Sequence, residues 1–406
     1  MVSRTPTRLA IEGGKPLRKT PFAPWPSFFQ EEVAAATRVL ESGKVNYWTG
    51  EQGRKFEVEF SSSVGCKHSV ALANGTVALE LALQILGIGP GDEVIIPSRT
   101  FIASASSVFM RGAIPVVADV DRNSQTITAD SIRDVLSPRT RAIIAVHLAG
   151  WPCDMAPILE LARECRLKVV EDCAQAHGAM YKGQPVGSMG DVSAFSFCQD
   201  KIISTGGEGG MLATNDPELW SRAWAFKDHG KNYDAIYNRH HPSGHKWVHE
   251  SVGTNWRMTE MQSAIGRVLL RRLPQFVRQR QYLAGILSER FSKIPALRTT
   301  RPPRHVTHSF YKYHVFLRPE QLKVEWDRQR IMDAIGAEGV PCFVGGCSEI
   351  YLEQIFPTEL RPPKRLPVAR ELGETALMFL VHPTLSKNDM GDTSDAVEKV
   401  LERAIR

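Results

Sequence analysis

At 406 residues with 43% hydrophobic content, the chain can bury a large core and divide into two domains. Lysine plus arginine exceed aspartate plus glutamate by six, a modest surplus spread along the chain, so nucleic acid is not called for as a partner. The seven cysteines form no C-x-x-C pair, and no apolar run approaches bilayer length; a cytoplasmic protein with no membrane partner and no metal is expected.

Residues 1–30 are rich in Pro, Arg and Lys and close on Pro21, Pro24 and Pro26, which predicts an N-terminal arm laid over the surface. A helical pattern follows over 31–40. Gly50 and Gly53 then mark turns in VNYWTGEQGRKFEVEF before a second helix. SVALANG reads as a strand, and VALELALQIL as an apolar helix entered through Gly75 and Thr76. A strand that runs into a helix N-terminus through glycine favours an anion, because free N–H groups and the helix dipole both face it.

Strand and helix patterns then alternate: DEVIIP, a helix over 101–110, IPVVADV, a helix over 130–136, RAIIAVHLAG and a helix over 154–166. Continuous apolar strands between amphipathic helices predict an α/β fold with a mostly parallel sheet covered on both faces.

The next stretch carries the chemistry. LKVVEDCAQAHG ends an apolar strand in Glu171 and Asp172, and DVSAFSFCQDKIISTGGEGG ends a second strand just before Lys201 and the glycines at 206, 207, 209 and 210. Ligands of open α/β sheets lie at such carboxyl ends of strands. A nucleophilic lysine beside a carboxylate that can partner a pyridinium nitrogen is what pyridoxal 5'-phosphate (PLP) chemistry requires.

Residues 229–250 read as a polar loop with His240, His241, His245 and His249, and GTNWRMTEMQSAIG opens a long helix through Val277. The run Arg267, Arg271, Arg272, Arg278 and Arg280 reads as a solvated helix face, with attraction of an anionic substrate as the alternative. Short strands such as KYHVFL, with helices over 326–338 and 395–405, predict a smaller α+β domain. The expected division is an arm over 1–30, a large PLP-binding domain over 31–274 and a small C-terminal domain over 275–406.

EDCAQAHGA, FSFCQDK and GGEGG, in that order, resemble the DegT/DnrJ/StrS family of sugar aminotransferases, and the likeness covers roughly residues 10–400. The resemblance implies fold type I, the aspartate-aminotransferase-like fold of PLP enzymes. It implies that Lys201 is the catalytic lysine that carries PLP and moves the proton, and that Asp172 keeps the pyridine nitrogen protonated. By the same resemblance Gly75, Thr76 and Ser196 hold the cofactor phosphate, Phe101 stacks on the ring, Ala174 presses its other face and Gln175 bonds near its phenolic oxygen. Asn255 corresponds to an asparagine that reaches the phosphate of the neighbouring subunit, which implies a homodimer with shared active sites. The expected amino donor is L-glutamate, and the expected acceptor is a nucleotide-linked 3- or 4-keto deoxysugar of glycan, lipopolysaccharide or natural-product biosynthesis.

Departures from the family pattern are Asn74 where the family usually has serine, and GVPCFVGGCSEIYL where it usually has an aromatic residue and a histidine. Alternatives are an aminotransferase acting on a non-sugar keto ring compound and a non-catalytic PLP-binding regulatory protein. A sugar dehydratase of the same family would have histidine in place of Lys201.

Overall fold

A computed structural model describes residues 8–406. The first part of the chain forms α1 (Gln30–Ser42), α2 (Gln52–Ser63), β1 (His68–Leu72), α3 (Gly75–Ile85), β2 (Glu93–Pro97), α4 (Ala103–Met110) and β3 (Ile114–Ala118). It continues through α5 (Ala129–Arg133), β4 (Thr140–Val146), α6 (Met155–Glu164), β5 (Lys168–Asp172), β6 (Met180–Tyr181), β7 (Gln184–Pro185), β8 (Val192–Ser196) and β9 (Gly210–Thr214). Beyond these lie α7 (Pro217–Phe226), α8 (Tyr233–Tyr237), α9 (Glu260–Phe291), β10 (Leu297–Arg298), β11 (Val306–Thr307) and β12 (Tyr313–Leu317). The chain closes with α10 (Arg328–Ala337), α11 (Pro367–Thr375), β13 (Ala376–Phe379) and α12 (Lys387–Ala404).

Seven strands form the main sheet in the order β1-β9-β8-β5-β4-β2-β3. Only β9 runs against the others. This is the expected mostly parallel α/β sheet, and the period of two along each strand explains its two covered faces. Val94, Ile96 and Val170 join a core with Leu79 and Leu83 of α3, while their neighbours Ile95 and Val169 pack with Ile158 and Leu161 of α6. The antiparallel sheet β10-β12-β13 packs with α9, α10 and α12 around Phe291, Val315, Leu377 and Val397. No helix among the described residues is long and apolar enough to cross a membrane.

Several boundaries differ from the sequence reading. α5 ends at Arg133, with Asp134 as its C-cap, instead of reaching Leu136. α12 begins at Lys387, well before residue 395, where Ser386 caps it by accepting the Asp389 N–H. α9 carries Pro274 in its interior and continues beyond Val277 to Phe291. The polar stretch 229–250 contains the short helix α8, capped by Asn232.

The described part of the arm is tied down. Leu9 is fully buried, Ala10 N–H donates to Glu338 Oε1 at 2.9 Å and Arg18 N–H donates to Glu338 O at 3.0 Å. At its end Trp25 Nε1–H donates to Lys201 O at 2.9 Å.

Candidate active site

Five parallel strands, β1, β2, β4, β5 and β8, release their chains on one edge of the sheet. Apart from Asn255, the site residues singled out by sequence leave from the exits of β1, β2, β5 and β8. Asn74, after β1, turns the chain into α3 and caps it by accepting the Val77 N–H at 3.0 Å. Gly75 and Thr76 are the first residues of α3, where N–H groups have no partner within the helix. A Cβ on Gly75 would lie 2.6 Å from Ser196 Cβ at the end of β8, and one on Gly210 would lie 2.2 Å from Asn74 O. Gly75 therefore lets the start of α3 close on Ser196, and Gly210 lets the start of β9 close on Asn74. Phe101 follows β2 with two-thirds of its surface exposed.

Asp172 ends β5. Its Oδ1 accepts the Ala174 N–H at 3.1 Å, and its Oδ2 accepts from Ser104 Oγ of α4 at 3.4 Å, with Thr100 and Ser104 hydroxyls 2.8 Å apart behind it. Burial pushes the Asp172 carboxyl above its ordinary range, and the Ala174 N–H and the Lys201 charge oppose that without cancelling it. Lys201 stands in the turn after β8, its amide bonded to Cys198 O at 3.0 Å. Its Nζ is 3.8 Å from Asp200 Oδ1 and 5.1 Å from the centre of the Tyr311 ring. Tyr311 OH in turn donates to Asp200 Oδ2. Gln175 accepts the Ala149 N–H at 2.8 Å, which links the exits of β4 and β5.

Glu171 points to the opposite face from Asp172. It is fully buried and accepts from Gly187, Met189 and Gly190 N–H at 2.7–2.9 Å and from His147 Nε2 at 3.0 Å. The Cys153 N–H donates to His147 Nδ1 at 2.9 Å, which fixes the neutral tautomer with its proton on Nε2. Burial alone would raise the Glu171 pKa, but the His147 bond and the backbone N–H groups hold it low. The His147 N–H donates to Asp172 O at 3.1 Å, so this network braces the backbone of Asp172. His147, Glu171 and Cys173 also stand close enough to suit a metal ion, yet both ring nitrogens of His147 are already used.

Among the described residues Asn255 makes no hydrogen bond to this group. Its segment pairs with the exit of β1, where Ala73 N–H donates to Trp256 O at 2.9 Å, but its side chain is exposed and accepts only from Arg257 N–H, at 3.5 Å, among the described residues. Arg280 departs from the solvated reading of its helix face, being 1% exposed. Arg271 and Arg278 are exposed, while Arg267 and Arg272 are part-buried and paired with Glu59 and with Glu31 and Glu32.

Residues 26–398 match the model of the DegT/DnrJ/EryC1/StrS aminotransferase family. The chain belongs to this family. It is 38% identical over 366 residues to GDP-perosamine synthase of Caulobacter vibrioides, an alignment that covers 87% of this chain and 92% of that one. Among solved structures, an aminotransferase from Psychrobacter cryohalolentis superposes with a TM-score of 0.93 at 52% identity, covering 94% of this chain and 99% of that chain. The S. venezuelae protein DesV, solved in complex with a ketimine intermediate, superposes with a TM-score of 0.83 at 33% identity, covering 93% and 98%. The chain is thus an aminotransferase with the fold of its family. His147, Ser104, Asp200 and Tyr311 were not found by sequence reasoning. A lone acid in an apolar strand, Glu171, was the available signal that a buried polar partner existed.

Proposed function

We propose that this family member is a PLP-dependent aminotransferase that moves an amino group from L-glutamate to a nucleotide-linked 3- or 4-keto deoxysugar. The observation that carries the reading is the placement of buried Asp172 and of Lys201 at the exits of the neighbouring strands β5 and β8, close enough that the lysine charge acts on the carboxyl. A protonated ring nitrogen would supply the positive charge that Asp172 lacks. The cradle at Gly75, whose missing Cβ leaves room beside Ser196, suits a phosphate. Phe101, open at the mouth, suits a ring face. The residues present therefore fit PLP.

In this reading Gly75, Thr76 and Ser196 hold the phosphate, Phe101 and Ala174 flank the ring, Gln175 bonds near its phenolic oxygen and Lys201 anchors the cofactor. Bound there, PLP supplies an electron sink for the donor's α-carbon. Asp172 holds a proton on the ring nitrogen, and its Ser104 and Ala174 bonds keep the carboxylate in place. Lys201, once free, takes the proton from the α-carbon at its Nζ and returns it elsewhere. Asp200, itself bonded to Tyr311, keeps that Nζ close to the cleft. Asn255, exposed on its own chain, reaches the phosphate of a partner subunit in a homodimer.

The nucleotide-sugar acceptor is supported by the names of the relatives, which include GDP-perosamine synthase. A panel of GDP-, UDP- and dTDP-linked keto-sugars incubated with L-glutamate tests it. Release of 2-oxoglutarate with one of them is expected; amination of none, alongside amination of a non-sugar cyclic ketone, would overturn the acceptor assignment.

A further inference from the structure

The cleft between the arm and the back of the lysine loop contains a buried cation without a full set of partners. Arg280 of α9 is 1% exposed, and its Nη1 donates to Tyr311 O at 3.0 Å, while Nε and Nη2, both shielded from solvent, have no partner among the described residues. Those two nitrogens share one edge of the guanidinium and present two parallel N–H groups, the geometry that a planar carboxylate accepts in two-point fashion. The Trp25 ring lies 5.2 Å from Arg280 Cζ. Arg280 lines a cavity of about 580 Å³ together with Lys312, Asp200, Tyr311 and Trp25.

The charges around the cavity do not balance. Among the described residues Asp200 is its one carboxylate, and it is engaged by Tyr311 OH and lies 3.8 Å from Lys201 Nζ. Arg18, at the rim, is paired with Asp389 and Asp392. The buried Arg280 and the part-exposed Lys312 share that single carboxylate with Lys201, and burial pushes the Lys312 pKa down to about 8, with Asp200 opposing. One carboxylate among three cations leaves an excess of positive charge, which is costly where it is buried and which an anion would offset.

We infer that this cavity is a binding site for a small carboxylate, held on the free edge of Arg280 and by Lys312. The carboxylate has two possible sources: the distal carboxylate of a dicarboxylic amino donor, since Asp200 and Tyr311 form a wall shared with Lys201, or a free small carboxylate. Only the first source rests on the proposed transamination; the site itself does not.

Calorimetric titration of the protein, as purified with its cofactor, with succinate tests the site. Succinate has no amino group, so its binding is read whether or not the protein transfers amines. Saturable binding is expected, weakened about tenfold or more in Arg280→Lys, which keeps a charge but loses the fork, and in Lys312→Gln. Displacement of succinate by L-glutamate but not by L-alanine would assign the site to the donor; displacement by neither would assign it to a free carboxylate, and both outcomes keep the site. If the buried Arg280 variant fails to fold, the part-exposed Lys312 variant decides. No saturable binding to wild type, or unchanged affinity in the folded variants, would overturn the inference.

Discussion

Gly75 and Ser196 meet so closely that a Cβ on Gly75 would lie 2.6 Å from Ser196 Cβ and 3.0 Å from its Oγ. The contact joins the first turn of α3 to the end of β8, where the phosphate cradle is proposed. Gly75→Ala should therefore force the two elements apart and cost about 1–3 kcal/mol of stability by overpacking. Chemical denaturation would measure that cost, and the apparent affinity for PLP should fall with it. A variant as stable and as tight for PLP as wild type would show that the two elements separate freely.

Glu171→Gln should destabilise the protein by about 1–3 kcal/mol, because an amide cannot accept from His147 and three backbone N–H groups as a carboxylate does. The folded pKa of Glu171 is lowered, so the stabilisation is fully present above the unfolded carboxylate value of about 4.3 and is lost as pH falls through the lower folded value. Urea midpoints should differ between wild type and variant at neutral pH, and the gap should narrow below about pH 4.3. A gap that widens in acid would contradict this account of Glu171.

Asp172 has the opposite sign. Its folded pKa is raised by burial, so the carboxylate costs stability above that value, and the cost is relieved as pH falls through it toward the unfolded value of about 3.9. Cofactor-free Asp172→Asn should then melt no lower than cofactor-free wild type at neutral pH, while transamination falls by roughly 10²-fold or more for loss of one preorganised charge. Melting curves of the stripped proteins and initial rates of the loaded ones check both halves. Near-wild-type rates would remove Asp172 from its assigned role.

Much of the fold and part of the candidate site were legible in the sequence, for reasons that are local. Apolar strands such as Val169–Val170 and Ile95–Ile96 announce a sheet covered on both faces, and short motifs at strand ends announce Asp172, Lys201 and Gly75. The brace around Asp172 was not legible, since His147 and Glu171 are 24 residues apart and meet only when β4 and β5 pair. Arg280 misled because its neighbours on α9 are solvated arginines; what buries it is the arm and the Tyr311 segment, which no helical periodicity contains. The early start of α12 follows from Ser386, a capping signal present in the sequence and outweighed there by apolar spacing.

The proposed sharing of sites between subunits makes a complementation test. Lys201→Ala subunits and Asn255→Asp subunits are each expected to be impaired, the second because a carboxylate repels the phosphate. In a mixed dimer, one site then combines an intact Lys201 with an intact Asn255 from across the interface. Activity at limiting PLP should reappear on mixing, once tagged pull-down has established that heterodimers form. If Asn255 serves its own chain, every site keeps one lesion and mixing restores nothing.

The central claim is that Lys201, at the exit of β8 and within reach of the field at Asp172, is the lysine that carries PLP. Reduction of the purified, PLP-loaded protein with borohydride, followed by peptide mapping, tests it most directly. The account predicts a single phosphopyridoxyl adduct on Lys201, absent from Lys201→Ala. An adduct on any other lysine, or persistence of the adduct in that variant, would contradict it.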